Sequence, residues 1–217
     1  MTPDALDPSP LPLSSLEMIT GNENLLVLAP HPGDESLRCG GLIAQCCRRG
    51  RPPFLMVLED GSATGPYSPD ERASRHEQET RQAVRHLGLP SERLLMVGLY
   101  EGTAWSGGPV FEAVVRAVAL VMWARDCNVI CAPAPQSGDP ADEAAHRIAV
   151  EVAAQTGVGH LAYAGSPAVG GQRGWRLDIS AQLAAKQAGI AAHPTAFAGA
   201  VLEQRWYELL LATGAVA

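Results

Sequence analysis

The chain has 217 residues, of which 47% are hydrophobic, and a mean hydropathy of +0.02. This composition is typical of a globular domain and excludes a disordered or fibrous chain. The formal net charge of −7 disfavours a nucleic-acid partner, because proteins that bind nucleic acids present a basic face. The longest apolar stretch, 110–123, is interrupted by Glu112 and Arg116 and is shorter than the ~20 residues of a membrane span, so we expect no membrane segment.

The N-terminal segment is rich in Pro, Asp and Ser and lacks the basic start and apolar centre of a signal peptide. We therefore expect a flexible leader over 1–20, a single domain over 21–217, and a cytoplasmic location. The five cysteines are odd in number and lie in helix-like or strand-like segments. This favours free thiols in a reducing compartment over disulfides.

Short apolar runs alternate with helical periodicities along the rest of the chain. The runs predict strands at 24–29, 53–58, 93–99, 128–132 and 160–163. The periodicities predict helices at 36–49, 68–87, 109–125 and 141–156. Towards the C-terminus we expect an edge strand at 175–179, a helix at 180–192 capped by Ser180, and a last amphipathic helix at 201–211. The alternation predicts an α/β fold, a Rossmann-like three-layer sandwich with a mostly parallel sheet.

The first predicted strand runs directly into the turn Pro30-His31-Pro32-Gly33-Asp34-Glu35. Ligands bind beyond the carboxyl ends of the strands in open α/β sheets. A histidine and a carboxylate three residues apart, as His31 and Asp34 are, can face one ion, and imidazole and carboxylate are ordinary zinc ligands. The fourth strand leads to a second polar loop, 134–143, that we expect to open on the same edge of the sheet.

The turn at 30–35 resembles the Pro-His-Pro-Asp-Asp-Glu signature of the PIG-L (LmbE-like) zinc-dependent N-deacetylases. Gly33 stands where that family carries its catalytic aspartate. The family's second signature, His-Pro-Asp-His, falls on 139–142, where only the proline matches. Weaker similarities to the family lie at 58–61, 75–79 and 186–193, so the resemblance covers roughly residues 24 to 195.

The resemblance implies a metal site formed by His31, Asp34 and Asp142, with Asp142 at the position of the third ligand. The cofactor expected from the family is Zn²⁺. A site with one histidine and two carboxylates also suits harder ions such as Mn²⁺, Mg²⁺ or Ca²⁺. Two alternatives stay open: His146, one helical turn after Asp142, is the third ligand, or the two carboxylates serve helix N-termini and no metal binds.

A hydrolytic metal centre needs a general base close to the attacking water, and Gly33 has no side chain to provide one. The remaining candidates for a catalytic base are Glu35 and Asp139. Arg75 resembles a substrate-contacting arginine of the family. Each has a structural alternative, namely an acid in the first turn of a helix for Glu35, a turn residue for Asp139, and a solvated salt-bridged helix face for Arg75.

The function that the resemblance implies is metal-dependent N-deacetylation of an acetamido sugar or a glycosylated small molecule. Because Gly33 replaces the catalytic aspartate, one alternative is a non-catalytic pseudoenzyme that binds a sugar-like ligand or has a regulatory role. A second alternative is a lyase or hydratase on the same scaffold, since fold does not fix reaction. Trp206 and Tyr207 either cover the core or form a contact in a homo-oligomer.

Overall fold

The computed structural model describes residues 11–63, 66–100, 107–135, 138–164, 173–197 and 205–213. Its strands are β1 (Leu13–Ser14), β2 (Leu25–Ala29), β3 (Phe54–Glu59), β4 (Leu94–Leu99), β5 (Val129–Pro133), β6 (Gly159–Ala164), β7 (Gly174–Asp178) and β8 (Tyr207–Ala212). Its helices are α1 (Leu16–Thr20), α2 (Asp34–Leu37), α3 (Gly40–Arg48), α4 (Pro69–His86), α5 (Pro109–Ala124), α6 (Pro140–Thr156) and α7 (Leu183–Ala191). Short 3₁₀ turns lie at Ser91–Arg93 and Ser180–Gln182.

The strands form one sheet in the order β1-β7-β8-β6-β5-β2-β3-β4. Neighbouring strands in the run β6-β5-β2-β3-β4 pair in parallel, and β1 pairs in parallel with β7. β8 is antiparallel to both of its neighbours, β6 and β7. The predicted α/β sandwich with a mostly parallel sheet is confirmed.

Strand β2 lies at the centre of the sheet and is buried on both faces. Val27 packs on one side with residues of α3 and α4, including Ile43 and Val84. Leu28 packs on the other side with residues of α5 and α6, including Val118 and Ile148. Both faces of a central parallel strand are covered by helices, which explains why its sequence is a continuous apolar run instead of an alternating one.

The predicted helix at 36–49 is two helices in the structure, α2 and α3, which meet at Arg38 and Cys39. Gly41, near the start of α3, lies so close to the segment after β7 that a Cβ atom there would be 2.4 Å from Ile179. The small residues at the start of α3 therefore let this helix pack against the segment after β7.

Ser180, the predicted cap of the helix at 180–192, lies in a 3₁₀ turn, and α7 begins three residues later.

The predicted C-terminal helix at 201–211 is wrong, because residues 207–212 form strand β8. The first five residues of β8 are buried between β6 and β7, and strand pairing satisfies their backbone groups. A short apolar run cannot be assigned to helix or strand by periodicity alone. Residues 201–204 lie outside the described residues.

The segment assigned to a flexible leader contains β1 and α1, and residues 1–10 lie outside the described part of the chain. All five cysteines are free thiols, as the sequence predicted, and four of them are buried. Within the described ranges, no helix combines the length and the apolar character that a membrane crossing requires.

A buried ion pair attaches β8 to the helices on one face of the sheet. The Glu208 carboxylate on β8 accepts hydrogen bonds from the backbone N–H groups of Gly41 and Leu42 at 2.7 and 2.8 Å. The Lys186 ammonium on α7 donates to the same carboxylate at 2.6 Å. Both side chains are less than 10% exposed, so each charge depends on its partner for compensation.

We expect Glu208→Gln to lower the free energy of unfolding by about 3–5 kcal/mol, because it leaves the Lys186 ammonium buried without a compensating charge. Chemical denaturation measures this loss. The matched control is Glu112→Gln on α5, which removes one partner of an exposed pair with Arg116 and should change stability by less than about 1 kcal/mol. Equal losses in the two variants would contradict the role given to Glu208.

Candidate functional site

A pocket of about 330 Å³ lies at the carboxyl edge of the parallel sheet, where the turn after β2 meets the loop after β3. Helix α4 and the segment that follows α7 complete its wall. The lining residues are His31, Pro32, Asp34, Gly61, His76, Thr195, Ala196 and Phe197. The position agrees with the expectation that the site lies beyond the carboxyl ends of the strands.

His31 lies between two carboxylates at the base of this pocket. Its Nδ1 atom is 3.3 Å from Asp34 Oδ2, and its Nε2 atom is 3.1 Å from the Oε2 atom of buried Glu59 at the end of β3. Burial lowers the pKa of His31, but the hydrogen bonds and charges of Asp34 and Glu59 outweigh it and raise the pKa to about 10.

Arg38, directly after α2, connects the first polar turn to the second. Its Nε atom is 3.2 Å from Asp34 Oδ1, and its Nη1 atom donates to both carboxylate oxygens of Asp142 at 2.7 Å. Asp142 lies in the first turn of α6 and is fully buried. Burial lowers the pKa of Arg38, but the two carboxylates outweigh it and raise the pKa above its ordinary value, so the guanidinium stays charged.

The three predicted metal ligands, His31, Asp34 and Asp142, thus belong to one connected network. A metal ion needs ligand lone pairs that converge on one point, whereas here Arg38 lies against both carboxylates and each ring nitrogen of His31 lies against a carboxylate. The part of the chain that the structure describes holds no group of three or more His, Cys, Asp or Glu side chains arranged to bind a metal. In this arrangement the residues do not fit a metal ion, and the metal site stays a prediction.

Gly33, at the position of the family's catalytic aspartate, has a φ of 103°, a conformation that L side chains rarely adopt. A Cβ atom at Gly33 would lie 2.8 Å from the Cζ atom of Phe197. The aromatic ring of Phe197 therefore occupies the space that a side chain at position 33 would enter.

Glu35, a predicted catalytic base, is fully buried beneath the turn. It accepts hydrogen bonds from the Gly33 N–H and the Ser36 hydroxyl, both at 2.8 Å, and lies 2.7 Å from the Nε2 atom of His193. His193 follows α7 and is also fully buried. These contacts attach the turn after β2 to the segment that carries Thr195 and Phe197. Glu35 therefore holds two parts of the pocket wall together.

The other two predicted site residues lie in structural contacts. The Asp139 carboxylate caps α6 by accepting a hydrogen bond from the Ala141 N–H at 2.8 Å. Arg75 is exposed on α4, with its guanidinium 4.0 Å from the ring centroid of Tyr67. The roles of Asp139 as a base and of Arg75 in substrate binding stay predictions.

His146, the alternative third ligand, points to the backbone instead of to Asp34. Its Nδ1 atom is 3.0 Å from the Pro133 carbonyl oxygen. Its ring lies 5.2 Å from the ring of buried His160 on β6. Of the two candidates for the third position, Asp142 is the one that connects to Asp34 through Arg38.

The comparisons with known proteins agree with the fold. The model of the PIG-L family, described as GlcNAc-PI de-N-acetylase, matches residues 26–156, which is more than half of the chain. The chain belongs to the PIG-L family. The predicted family membership is thereby confirmed, and the deacetylases of this family are metal-dependent.

Solved structures with the same fold include enzymes of more than one kind. The conserved protein TT1542 from Thermus thermophilus is 25% identical, with a TM-score of 0.67 over 82% of this chain and 81% of its own. The N,N'-diacetylchitobiose deacetylase from Pyrococcus horikoshii is 17% identical, with a TM-score of 0.64 over 79% and 69%. The 4-carboxy-2-hydroxymuconate hydratase GalB from Pseudomonas putida KT2440 is 14% identical, with a TM-score of 0.68 over 90% and 98%. None of the curated proteins compared with this PIG-L family member matched it.

Several residues of the site were missed by sequence reasoning. Glu79 on α4 accepts hydrogen bonds from the Thr195 hydroxyl at 2.5 Å and from the Thr195 N–H at 3.2 Å, which attaches the pocket wall to α4. Arg38 stands four residues after Asp34, a spacing typical of helical ion pairs that could have suggested their contact. Nothing in the local sequence indicated that Phe197 would face Gly33.

We expect Gly33→Ala to destabilise the protein, because the left-handed backbone costs an L residue about 1–2 kcal/mol and Phe197 must also move. Gly50→Ala is the matched control, since Gly50 also has a positive φ but has open space around its Cβ position. The free energy of unfolding should fall more for Gly33→Ala than for Gly50→Ala. Equal losses would show that Phe197 imposes no constraint on position 33.

Buried His160, whose ring packs against that of His146, predicts a loss of stability in acid. Burial, with a smaller effect of His146, lowers the pKa of His160 from 6.5 to about 4. The unfolded chain therefore binds this proton more readily, and stability falls as the pH drops from about 6.5 towards 4.

We expect His160→Leu to reduce this acid sensitivity by about 2–3 kcal/mol between pH 7 and pH 4, measured by denaturant unfolding at each pH. His86→Leu, at the exposed end of α4, is the control and should keep the slope of the wild type. An unchanged slope in His160→Leu would rule out His160 as the titrating group.

Proposed function

We propose that this PIG-L family member binds an acetamido sugar or a similar glycosylated small molecule in the pocket beside His31, and that it does not carry out the family's aspartate-assisted hydrolysis. The observation that carries the proposal is the contact between Gly33 and Phe197. At the place where the family has its general base, this chain has no side chain, and an aromatic ring covers the position.

Loss of a general base costs a hydrolytic reaction typically about 10²–10⁴-fold in rate. A replacement base must reach the attacking water with an available carboxylate. Glu35 is buried and its oxygens interact with Gly33, Ser36 and His193, and Asp139 caps a helix. Neither residue is among those that line the pocket, which supports binding without efficient hydrolysis.

Several features of the pocket suit a small polar ligand. Its volume of about 330 Å³ is in the range of small-molecule sites, which combine apolar or aromatic walls with a few polar groups. The Phe197 ring supplies an apolar surface, and His31 and Asp34 supply polar side chains to the lining. The acetamido group is proposed because a structurally similar protein is an N,N'-diacetylchitobiose deacetylase.

Isothermal titration with matched sugars tests the proposal. We expect N-acetylglucosamine or N,N'-diacetylchitobiose to bind, and glucosamine and glucose to bind at least about tenfold more weakly, a difference of 1.4 kcal/mol that one lost polar contact explains. Ala196→Trp, which fills the pocket, should abolish binding. Leu120→Trp, on the exposed face of α5, should leave it unchanged.

Acetate release in the same mixtures separates the proposal from its alternatives. We expect no multiple-turnover release from the wild-type protein. Release that is lost in both His31→Ala and Asp34→Ala would instead establish an active deacetylase. Binding of none of these sugars would contradict the proposed ligand class, and a hydratase or lyase would then be the next activity to assay, because GalB shares the fold.

A further inference from the structure

The carboxylate of Asp142 is fully buried near the candidate site. Its side chain has no exposed surface, and both of its oxygens lie 2.7 Å from the same nitrogen of Arg38. A buried carboxylate requires a nearby cation or strong hydrogen-bond donors. Arg38 is the cation that the structure places there.

The same guanidinium also contacts the first polar turn. Its Nε atom is 3.2 Å from Asp34 Oδ1. The other oxygen of Asp34 accepts the backbone N–H of His31 at 3.2 Å and lies 3.3 Å from the His31 ring. Every carboxylate oxygen of Asp34 and Asp142 therefore has a partner within the protein.

A guanidinium is suited to this position. It is planar, always charged and carries five N–H donors in fixed directions, so one group can bind two carboxylates from different elements. Asp34 follows β2 and Asp142 begins α6, which are the two places where the resemblance put metal ligands. A divalent ion at this point would have to displace Arg38 from both carboxylates.

We infer that Arg38 stands in for the metal ion of the family, so that a permanent organic cation holds Asp34 and Asp142 together in this chain. Removing the guanidinium would then expose two carboxylates with a latent affinity for a divalent ion. This inference concerns the cation alone and does not depend on which ligand the pocket binds.

Metal titration tests the inference directly, with Zn²⁺ and Mn²⁺ as probes and untagged protein. We expect Arg38→Gln to bind one equivalent of metal on the order of 10²-fold more tightly than the wild type, the factor expected when an ion no longer competes with a buried ion pair. Arg38→Lys keeps a cation and should show no such gain. Adding Asp34→Asn to Arg38→Gln should remove the gained binding and so locate it.

Two results would overturn the inference. One is a folded Arg38→Gln protein that gains no metal affinity. The other is a wild-type protein that binds one equivalent of Zn²⁺ or Mn²⁺ and loses it in Asp34→Asn. The second measurement needs no change at Arg38, so it decides the question even if the Arg38 variants do not fold, and neither measurement depends on sugar binding.

Discussion

The contact between Arg38 and Asp142 joins the two polar loops on which the candidate site depends. One loop follows β2 and the other opens α6, and the two strands that lead to them, β2 and β5, are neighbours in the sheet. A buried ion pair of this kind contributes little net stability compared with an apolar pair, but it is costly to break and it fixes geometry. Arg38 also contacts Asp34, which in turn contacts His31, so the same guanidinium connects both loops to the pocket.

This member of the family keeps the fold but differs from the family pattern in the side chains at the site. The sheet and its helices have the fold of a deacetylase and of a hydratase. By contrast, position 33 is a glycine where the family has an aspartate. Arg38 contacts both Asp34 and Asp142, the two carboxylates assigned to metal ligands. A fold supplies the place for a site, and the side chains decide its chemistry. The proposed binding function depends on this difference in side chains.

The sequence predicted the elements whose pattern is local. β2, β3 and β5 are fully buried apolar strands, and α4 begins with a complete capping box, so burial and capping made them recognisable. β8 was missed because a short apolar run has no distinguishing period. The family motif found the turn at 30–35, but the contact of Arg38 with Asp142 spans 104 residues and no local rule reports it. The same holds for Phe197, which reaches Gly33 through a turn after α7.

The sheet order has a consequence for the way the chain folds. β1 and β7 pair with each other, and β7 joins the rest of the sheet through β8. β8 is the last described strand in the sequence, and it must insert between β6 and β7. The parallel part from β6 to β4 can therefore form during synthesis, whereas the other edge must wait until residues 207–212 have left the ribosome. Until then the edge of β6 is an unpaired strand, the kind of surface that another chain can pair with.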